Sequence, residues 1–295
     1  MSIRKKLLPT FNAVASGQAA TCDLPLGLKY HAIHLELADN GTASNGNATD
    51  IPATLAALIG DIRVKINGKV QRVHSGAELN AMNSVNGAAY VVKASGTAGQ
   101  SDYRVYLTIY FAEPWRKSPA QQAAPAWNVS GDKVRSFQLE VDVVSGLTGF
   151  TITGFYEYEP ADGTIGAITK VVRQTFAALG TTQDFNTIDR RDFLQALHLF
   201  ATTDSKYVNK AKLTANGVEI HDLLNTLENQ VILLGRELTP DTSATPRYDL
   251  VLDYDDPLSG ALPLDGLAEL TLHVEYSASA AGNMVVLIVR VGQPE

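Results

Sequence analysis

Apolar and polar residues alternate over 62–66, where Ile, Val and Ile are separated by Arg and Lys, which is the period of a half-buried β-strand. Asn67 and Gly68 end this alternation. Both residue types tolerate a positive φ, so the pair predicts a tight hairpin that returns in a second strand over 70–73. The segment is therefore predicted to be a β-hairpin with one face in a core.

A short helix is predicted directly after this hairpin, because Ser75 and Glu78 have the spacing of a capping box. The same order recurs in the second half of the chain, where Asn216 and Gly217 interrupt a strand-like segment. The i, i+3, i+4, i+7 spacing of one helix face follows in Ile220, Leu223, Leu224 and Leu227. Strand, Asn-Gly turn and helix are thus predicted twice.

The two halves of the chain match in order over most of their length. Matching residues are Phe11 and Phe176, His34 and His198, Asn67 and Asn216, Pro114 and Pro257, and Gly149 and Gly282. The separation between partners falls steadily along the chain, as expected if the first half carries extra loop residues. The decreases coincide with two loop-like segments, 38–54 and 115–132. The sequence therefore predicts an internal duplication.

Short strands dominate the predicted elements, which indicates an all-β protein made of two antiparallel sandwiches with short helices in the connections. We expect a first domain at 1–160 with an N-terminal arm at 1–10, a linker at 161–166, and a second domain at 167–295. Strands are predicted at 21–24, 29–37, 62–66, 69–73, 88–93, 103–112, 134–144, 150–159, 193–200, 248–254, 267–276 and 284–291.

Composition narrows the possible functions. The 295 residues are 45% hydrophobic, which is enough for two cores, and the formal net charge of −7 argues against direct nucleic-acid binding. Cys22 is the single cysteine, so an internal disulfide and a cysteine-based zinc site are excluded. The sequence has no apolar run of membrane-spanning length and no recognisable signal peptide, so we expect assembly in a cytoplasm.

Candidate catalytic and metal-binding residues are few. The sequence motifs of metalloproteases, α/β-hydrolases, P-loop NTPases and Rossmann enzymes are all missing, so we predict no enzyme activity. His31 and His34 are three apart on a strand and are expected on opposite faces, where they cannot chelate one ion. Asp253 and Asp255 share a strand face and are weak candidates for a metal site, although a solvated strand end explains them as well.

Two further features allow more than one interpretation. Arg4, Lys5 and Lys6 form a basic N-terminal arm, which is either a solvated, poorly ordered end or a segment that reaches a neighbouring subunit or an anionic lipid surface. Trp115 and Trp127 flank the second loop-like segment. They either anchor that loop or mark an exposed contact surface.

Several segments of the first 80 residues resemble a known family, the corticovirus-type major capsid protein of tailless, icosahedral bacteriophages with an internal membrane. The resemblance is carried by FNAVA from Phe11, DLPLG from Asp23, YHAIHL from Tyr30 and IRVKINGKV from Ile62. Members of that family have two tandem jelly rolls, so the resemblance implies that each predicted sandwich is a jelly roll. The internal duplication is consistent with this architecture.

The resemblance implies a coat protein that assembles as pseudo-hexagonal homotrimers into an icosahedral shell around a lipid membrane, with lateral contacts between trimers and with vertex and membrane proteins of the virion as further partners. Arg4, Lys5 and Lys6 would then face the membrane. The resemblance also implies structural calcium, without locating a site for it. Either loop-like segment could be an outward tower or a contact between trimers.

Two other functions are compatible with the sequence. A two-domain carbohydrate-binding or adhesion protein would use exposed Trp115 and Trp127 to stack on sugar rings. A bicupin-like enzyme would need clustered His and Glu ligands, but His34 and His198 occupy matching places in different domains.

Overall fold

The computed structural model describes residues 3–38, 51–96, 103–253 and 260–295. Most of these residues lie in β-strands, and the chain forms two compact units. The first unit comprises Met1–Ile168 together with Gln293–Glu295, and the second comprises Thr169–Gly292. The last three residues, which we expected in the second domain, therefore group with the first unit.

The strands and helices follow one another along the chain with short connections. The first unit contains β1 (Arg4–Leu7), β2 (Ala19–Asp23), β3 (Leu28–Ala38), α1 (Ile51–Leu58), β4 (Ile59–Ile66), β5 (Lys69–Ser75), α2 (Gly76–Val85), β6 (Lys93–Ser95), β7 (Arg104–Tyr110), α3 (Pro119–Ala123), β8 (Trp127–Val129), β9 (Phe137–Val143) and β10 (Thr151–Pro160). The second contains β11 (Ile168–Phe185), β12 (Phe193–Leu199), β13 (Val208–Ala215), β14 (Val218–Leu224), α4 (Asn225–Leu227), a π-helix (Glu228–Leu233), β15 (Tyr248–Val251), β16 (Leu262–Pro263) and β17 (Leu270–Gly292).

The first unit is a sandwich of two antiparallel sheets. One sheet has the order β1-β10-β3-β7-β6, with β8 also paired to β3, and in the other β4 lies between β5 and β9, which in turn pairs with β2. Alternate residues of β3, β7 and β9 enter the core, among them Ile33, Leu107 and Leu139. The alternation seen in the sequence therefore describes the inward and outward faces of the two sheets.

The second unit repeats this plan with one long strand in place of two. The first part of β17 pairs with β13, as β9 pairs with β4, and its last part pairs with β12, as β10 pairs with β3. Two strands were predicted where β17 is continuous. Its inward residues, including Leu272, Val274 and Ile288, form a separate core with residues of β12 and β13. The predicted duplication is thus present in the strand pairing.

Both Asn-Gly hairpins are confirmed. Asn67 and Asn216 have φ of 52° and 49°, and the glycine that follows each has φ of 77°. Each asparagine side chain also accepts two backbone N–H groups with its Oδ1 atom, from residues 135 and 136 in the first unit and from residues 268 and 269 in the second. The two asparagines therefore have equivalent roles, because each fixes its turn to the segment before the next strand.

The helix after each hairpin is only half confirmed. Ser75 and Glu78 form the predicted capping box at the start of α2. In the second unit the expectation was wrong, because 218–224 is strand β14, paired along its length with β13, and the helix begins at Asn225. Backbone pairing with β13 outweighs the helical spacing of these aliphatic residues, since that spacing is a weak signal over so few residues.

Three other segments differ from the sequence predictions. Residues 88–92 are not a strand, and β6 begins only at Lys93. Strand β11, which is hydrogen-bonded to β17, was not predicted. The expected linker at 161–166 is bound to the first unit, because the backbone N–H of Ala161 donates to Gly27 and that of Ile165 donates to Ser130.

Candidate functional site

The N-terminal arm is an ordered edge strand. Residues 4–7 form β1, which pairs antiparallel with β10, so the expectation of a poorly ordered end was wrong. Lys5 lies opposite Glu157, and its Nζ atom is 3.2 Å from the Glu157 carboxylate and 5.8 Å from the centre of the Phe155 ring. Pairing with β10 therefore fixes the position of the basic residues at the edge of the sheet.

The charges of this arm differ in how far they are neutralised. Lys5 is paired with Glu157, whereas Arg4 and Lys6 are exposed and form no ion pair with any residue in the described part of the chain. Their register partners on β10 are Tyr158 and Tyr156, neither of which has a carboxylate that could pair with a cation. Arg4 and Lys6 thus present two positive charges at the exposed edge of the sheet.

The outer face of β10 carries a second group of polar contacts. His34 stacks on Phe155, with ring centres 4.4 Å apart, and its Nδ1 atom is 2.9 Å from the Thr108 hydroxyl. The His34 imidazole, with Nε2 3.8 Å from the carboxylate, is the main cause that lowers the pKa of Glu157 to about 2, and Lys5 adds to it. Glu157 is therefore ionised at neutral pH.

The second histidine of β3 has a partner of its own. His31 Nε2 is 3.2 Å from the carboxylate of Glu159. The pairing of β3 with β10 shifts its register next to His31, and this shift interrupts the strict alternation of inward and outward side chains. His31 and His34 thus each contact a different glutamate of β10. They are strand residues with polar neighbours, and their arrangement does not form a chelating pair.

The candidate metal site at Asp253 and Asp255 lies only partly within the described residues. Asp253 lies just beyond the end of β15 and is buried. Its Oδ2 atom accepts a hydrogen bond of 2.8 Å from Gln195 Nε2, which is a structural role. Asp255 lies outside the described residues. Among the residues that are described, no group of three or more His, Cys, Asp and Glu side chains could hold a metal ion. Structural calcium stays a prediction without a site.

The two tryptophans do not form an exposed contact surface. Trp127 is fully buried and packs against Phe111 and Phe137 in the first core. Trp115 is half-buried and packs edge-on against Tyr90 and Tyr110. Both tryptophans anchor the connection between β7 and β9, which is the first of the two interpretations offered by the sequence.

A buried ionic cluster in the second unit was not predicted. Arg290, on β17, is 1% exposed and lies 2.9 Å from Asp189 and 3.6 Å from Asp192. Lys170, also buried, lies 2.8 Å from the Asp192 carboxylate. The sequence feature that could have predicted this cluster is Arg290 itself, an isolated charge in the apolar run of β17. A charge in a buried strand needs a buried partner of opposite charge.

The histidine that matches His34 lies in a second buried cluster. His198 Nδ1 is 2.7 Å from Asp249 Oδ1, which also accepts from Arg247 Nε at 2.5 Å. Burial alone would raise the pKa of Asp249, but Arg247 and His198 outweigh burial and lower it to about 2. The carboxylate is therefore held as an ion by two donors, which is a structural arrangement of the second sandwich.

Two models of known protein families match the two halves of the chain separately. The model of the viral coat protein P2 N-terminal domain matches residues 5–158, and the model of the viral coat protein P2 C-terminal domain matches residues 168–293. The chain belongs to the viral coat protein P2 family. No curated protein matches it by sequence.

Solved structures show that this P2-family chain has the double jelly-roll fold. The major capsid protein P2 of bacteriophage PM2 has a TM-score of 0.77 and 16% identity, over 100% of this chain and 98% of that chain. The STIV major capsid protein has a TM-score of 0.70 and 13% identity with the same coverage. The PBCV-1 capsid has a TM-score of 0.65 and 11% identity, over 98% of this chain and 93% of that chain.

The family decides between the functions left open by the sequence. The P2-family chain is a viral coat protein, so the resemblance to the corticovirus-type capsid protein is confirmed and the carbohydrate-binding alternative is not supported. The burial of Trp127 gives a physical reason, since a ring without exposed faces cannot stack on a sugar. No helix in the described part of the chain is long and apolar enough to cross a membrane.

Proposed function

We propose that this coat protein assembles as a pseudo-hexagonal homotrimer whose copies tile an icosahedral shell around an internal lipid membrane. The observation that carries the proposal is the structural duplication, because each chain supplies two units with the same strand pairing. Three copies related by a threefold axis would contribute six such units. A trimer would therefore have near-hexagonal symmetry and could tile a surface in all lateral directions.

The role of the chain in this shell is structural. Its lateral contacts would be with other trimers, and vertex and membrane proteins of the virion would complete the shell. It would act without catalysis or direct nucleic-acid binding and would assemble in the host cytoplasm. The net charge of −7 supports the separation from nucleic acid, because a surface that binds phosphates is normally basic.

The solution mass tests the trimer. Light scattering on a gel-filtration column should give about three times the chain mass of 31.7 kDa. The peak fractions should then form hexagonal arrays on an electron-microscope grid. A mass of 31.7 kDa at every concentration that can be reached would contradict the proposal.

The basic edge strand would face the membrane. Arg4 and Lys6 carry the two charges that have no ion-pair partner among described residues, and a basic residue near an anionic lipid surface contributes about 1 kcal/mol. The double variant Arg4→Ser/Lys6→Ser should therefore bind vesicles of phosphatidylglycerol and phosphatidylethanolamine about 30-fold more weakly than the wild type in a sedimentation assay.

A matched control removes the same charges elsewhere. Lys133 and Arg135 are exposed in the segment before β9, and Lys133→Ser/Arg135→Ser changes the net charge by the same amount. Equal losses in the two double variants would show that net charge alone governs binding. A normal yield of membrane-filled particles from a chain with Arg4, Lys5 and Lys6 all changed to Ser would also refute the membrane-facing role.

A further inference from the structure

The helix that follows β14 is oriented with its apolar side outward. Leu224, the last residue of β14 and the N-cap of this helix, recurs at helical spacing with Leu227, Val231 and Leu234, and all four are 40 to 58% exposed. On the opposite side, Asn225, Glu228 and Asn229 are at most 6% exposed. A helix on the surface of a globular domain normally has the reverse arrangement, with its apolar stripe on the core.

Hydrogen bonds fix this orientation. Asn225 Nδ2 donates to the backbone carbonyl of Val208 at 2.9 Å, and Asn229 Nδ2 donates to Asn225 Oδ1 at 2.7 Å. Leu233 is fully buried on the same side. Turning the helix to bury its leucines would break these bonds and leave buried polar groups unsatisfied, so the outward apolar face is built into the folded chain.

The first unit shows how the corresponding helix is covered. There α2 packs against α1, and Leu79 of α2 lies in the same core as Leu55 and Leu58 of α1. The first half of the chain is longer than the second between β3 and β4, and helix α1 lies at the end of this longer connection. The equivalent connection in the second unit, residues 200–207, is fully described and contains no helix. The second unit therefore lacks the element that covers this face in the first.

The exposed face has the composition and size of an interface core. The four aliphatic side chains expose on the order of 350 Å², whereas each partner in an interface of standard size buries about 800 Å², of which about 450 Å² is apolar. Thr226 and Gln230, also exposed on this helix, carry no charge. Charged residues are depleted in the cores of protein–protein interfaces, so this face is suited to burial against another protein surface.

We propose that a second copy of this chain covers the outward helix face formed by Leu224, Leu227, Val231 and Leu234 in the assembled shell. The inference rests on the proposed self-assembly, since a coat protein meets its own copies at high local concentration. The face provides most of the apolar area that such a contact needs. The helix face is thus completed between copies in the second unit, where the first unit completes it with α1.

Substitution on the face tests its role in assembly. Leu227→Gln/Val231→Gln should raise the concentration for half-maximal trimer formation at least tenfold, or leave trimers that no longer form shells. Val218→Gln is the matched control, because Val218 is an equally exposed aliphatic residue of β14 outside the helix. Far-UV circular dichroism and the urea midpoint of each variant establish that it folds.

A labelling experiment tests the contact without disrupting it. Val231 and Val218 are 58% and 62% exposed in the isolated chain, so Val231→Cys and Val218→Cys start with equal access to a maleimide. Cys22 is buried, and its burial raises the thiol pKa to about 11, so the background reaction is slow. In assembled protein, the cysteine at 231 should react at least tenfold more slowly than the cysteine at 218.

Each outcome separates this inference from the proposed function. Equal labelling at both positions, together with normal trimers and shells from the double variant, would overturn the contact and leave the coat-protein assembly intact. A wild-type chain that forms neither trimers nor shells would overturn both proposals. Loss of trimers places the contact within the trimer, and loss of shells alone places it between trimers.

Discussion

Glu228 makes the stability of the second unit depend on pH. Glu228 is the first residue of the π-helix and its side chain is on the buried side of that helix, where its Oε2 atom has no hydrogen-bond partner among the described residues. The titratable and charged groups around it are His221 with Nε2 at 3.6 Å, Tyr248, Asp249 and Arg236. Burial is the largest influence, and it raises the pKa of Glu228 from 4.5 to about 7.

The direction of the effect follows from proton binding. Between pH 4.5 and about 7 the folded chain holds a proton on Glu228 that the unfolded chain has released, so the free energy of unfolding falls as pH rises. The difference between the two pKa values, at about 1.4 kcal/mol per unit, corresponds to about 3 kcal/mol. This contribution is complete below pH 4.5 and is lost as pH rises through about 7.

Glu228→Gln removes the ionisation and keeps the shape of the side chain. Urea unfolding at a fixed protein concentration should give similar stabilities for wild type and variant at pH 5, and a variant that is more stable by about 3 kcal/mol at pH 8.5. Comparing the two chains cancels the opposite contribution of His221, whose pKa is lowered by burial.

Glu237 provides the control, because it is an exposed glutamate shortly after the same helix. Glu237→Gln changes the net charge equally without altering a buried group and should follow the wild-type pH profile. A stability difference between wild type and Glu228→Gln that stays constant from pH 5 to 8.5 would refute the reasoning.

Two further changes test the buried contacts of each unit. Arg290→Met should lower the free energy of unfolding by about 3–5 kcal/mol, because it removes a fully buried ion-pair partner from Asp189 and Asp192, whose side chains are only 13% and 18% exposed. Arg191→Met, on the Asp189 carboxylate, should cost less than about 1 kcal/mol, because the Arg191 side chain is 60% exposed. Equal losses in urea unfolding would contradict this difference. Gly154→Ala should lower the free energy of unfolding by about 3 kcal/mol, because the added Cβ would overlap the backbone carbonyl of His34 on β3. Gly166→Ala, with open space around it, should be nearly neutral in the same assay. A Gly154→Ala chain as stable as wild type would show that β10 and β3 can separate there.

The sequence by itself determined the features that depend on neighbouring residues. The Asn-Gly pairs specify both hairpins because few other residues accept a positive φ, and Ser75 with Glu78 specifies the start of α2 because both capping partners lie within one turn. Strict alternation specified the inward faces of β4 and β9. The duplication and the family resemblance then followed from the order and spacing of such local signals.

Tertiary structure decided what depends on partners distant in the sequence. The apolar spacing from Ile220 to Leu227 predicted one face of a helix. Pairing with β13 made the first part a strand instead, and hydrogen bonds from Asn225 and Asn229 hold the helix with its apolar face outward. The partners of Arg290 lie about 100 residues earlier, and β10 fixed the arm that was expected to be poorly ordered. Local spacing shows which residues are apolar or charged, but only the packed chain determines which surface each of them meets.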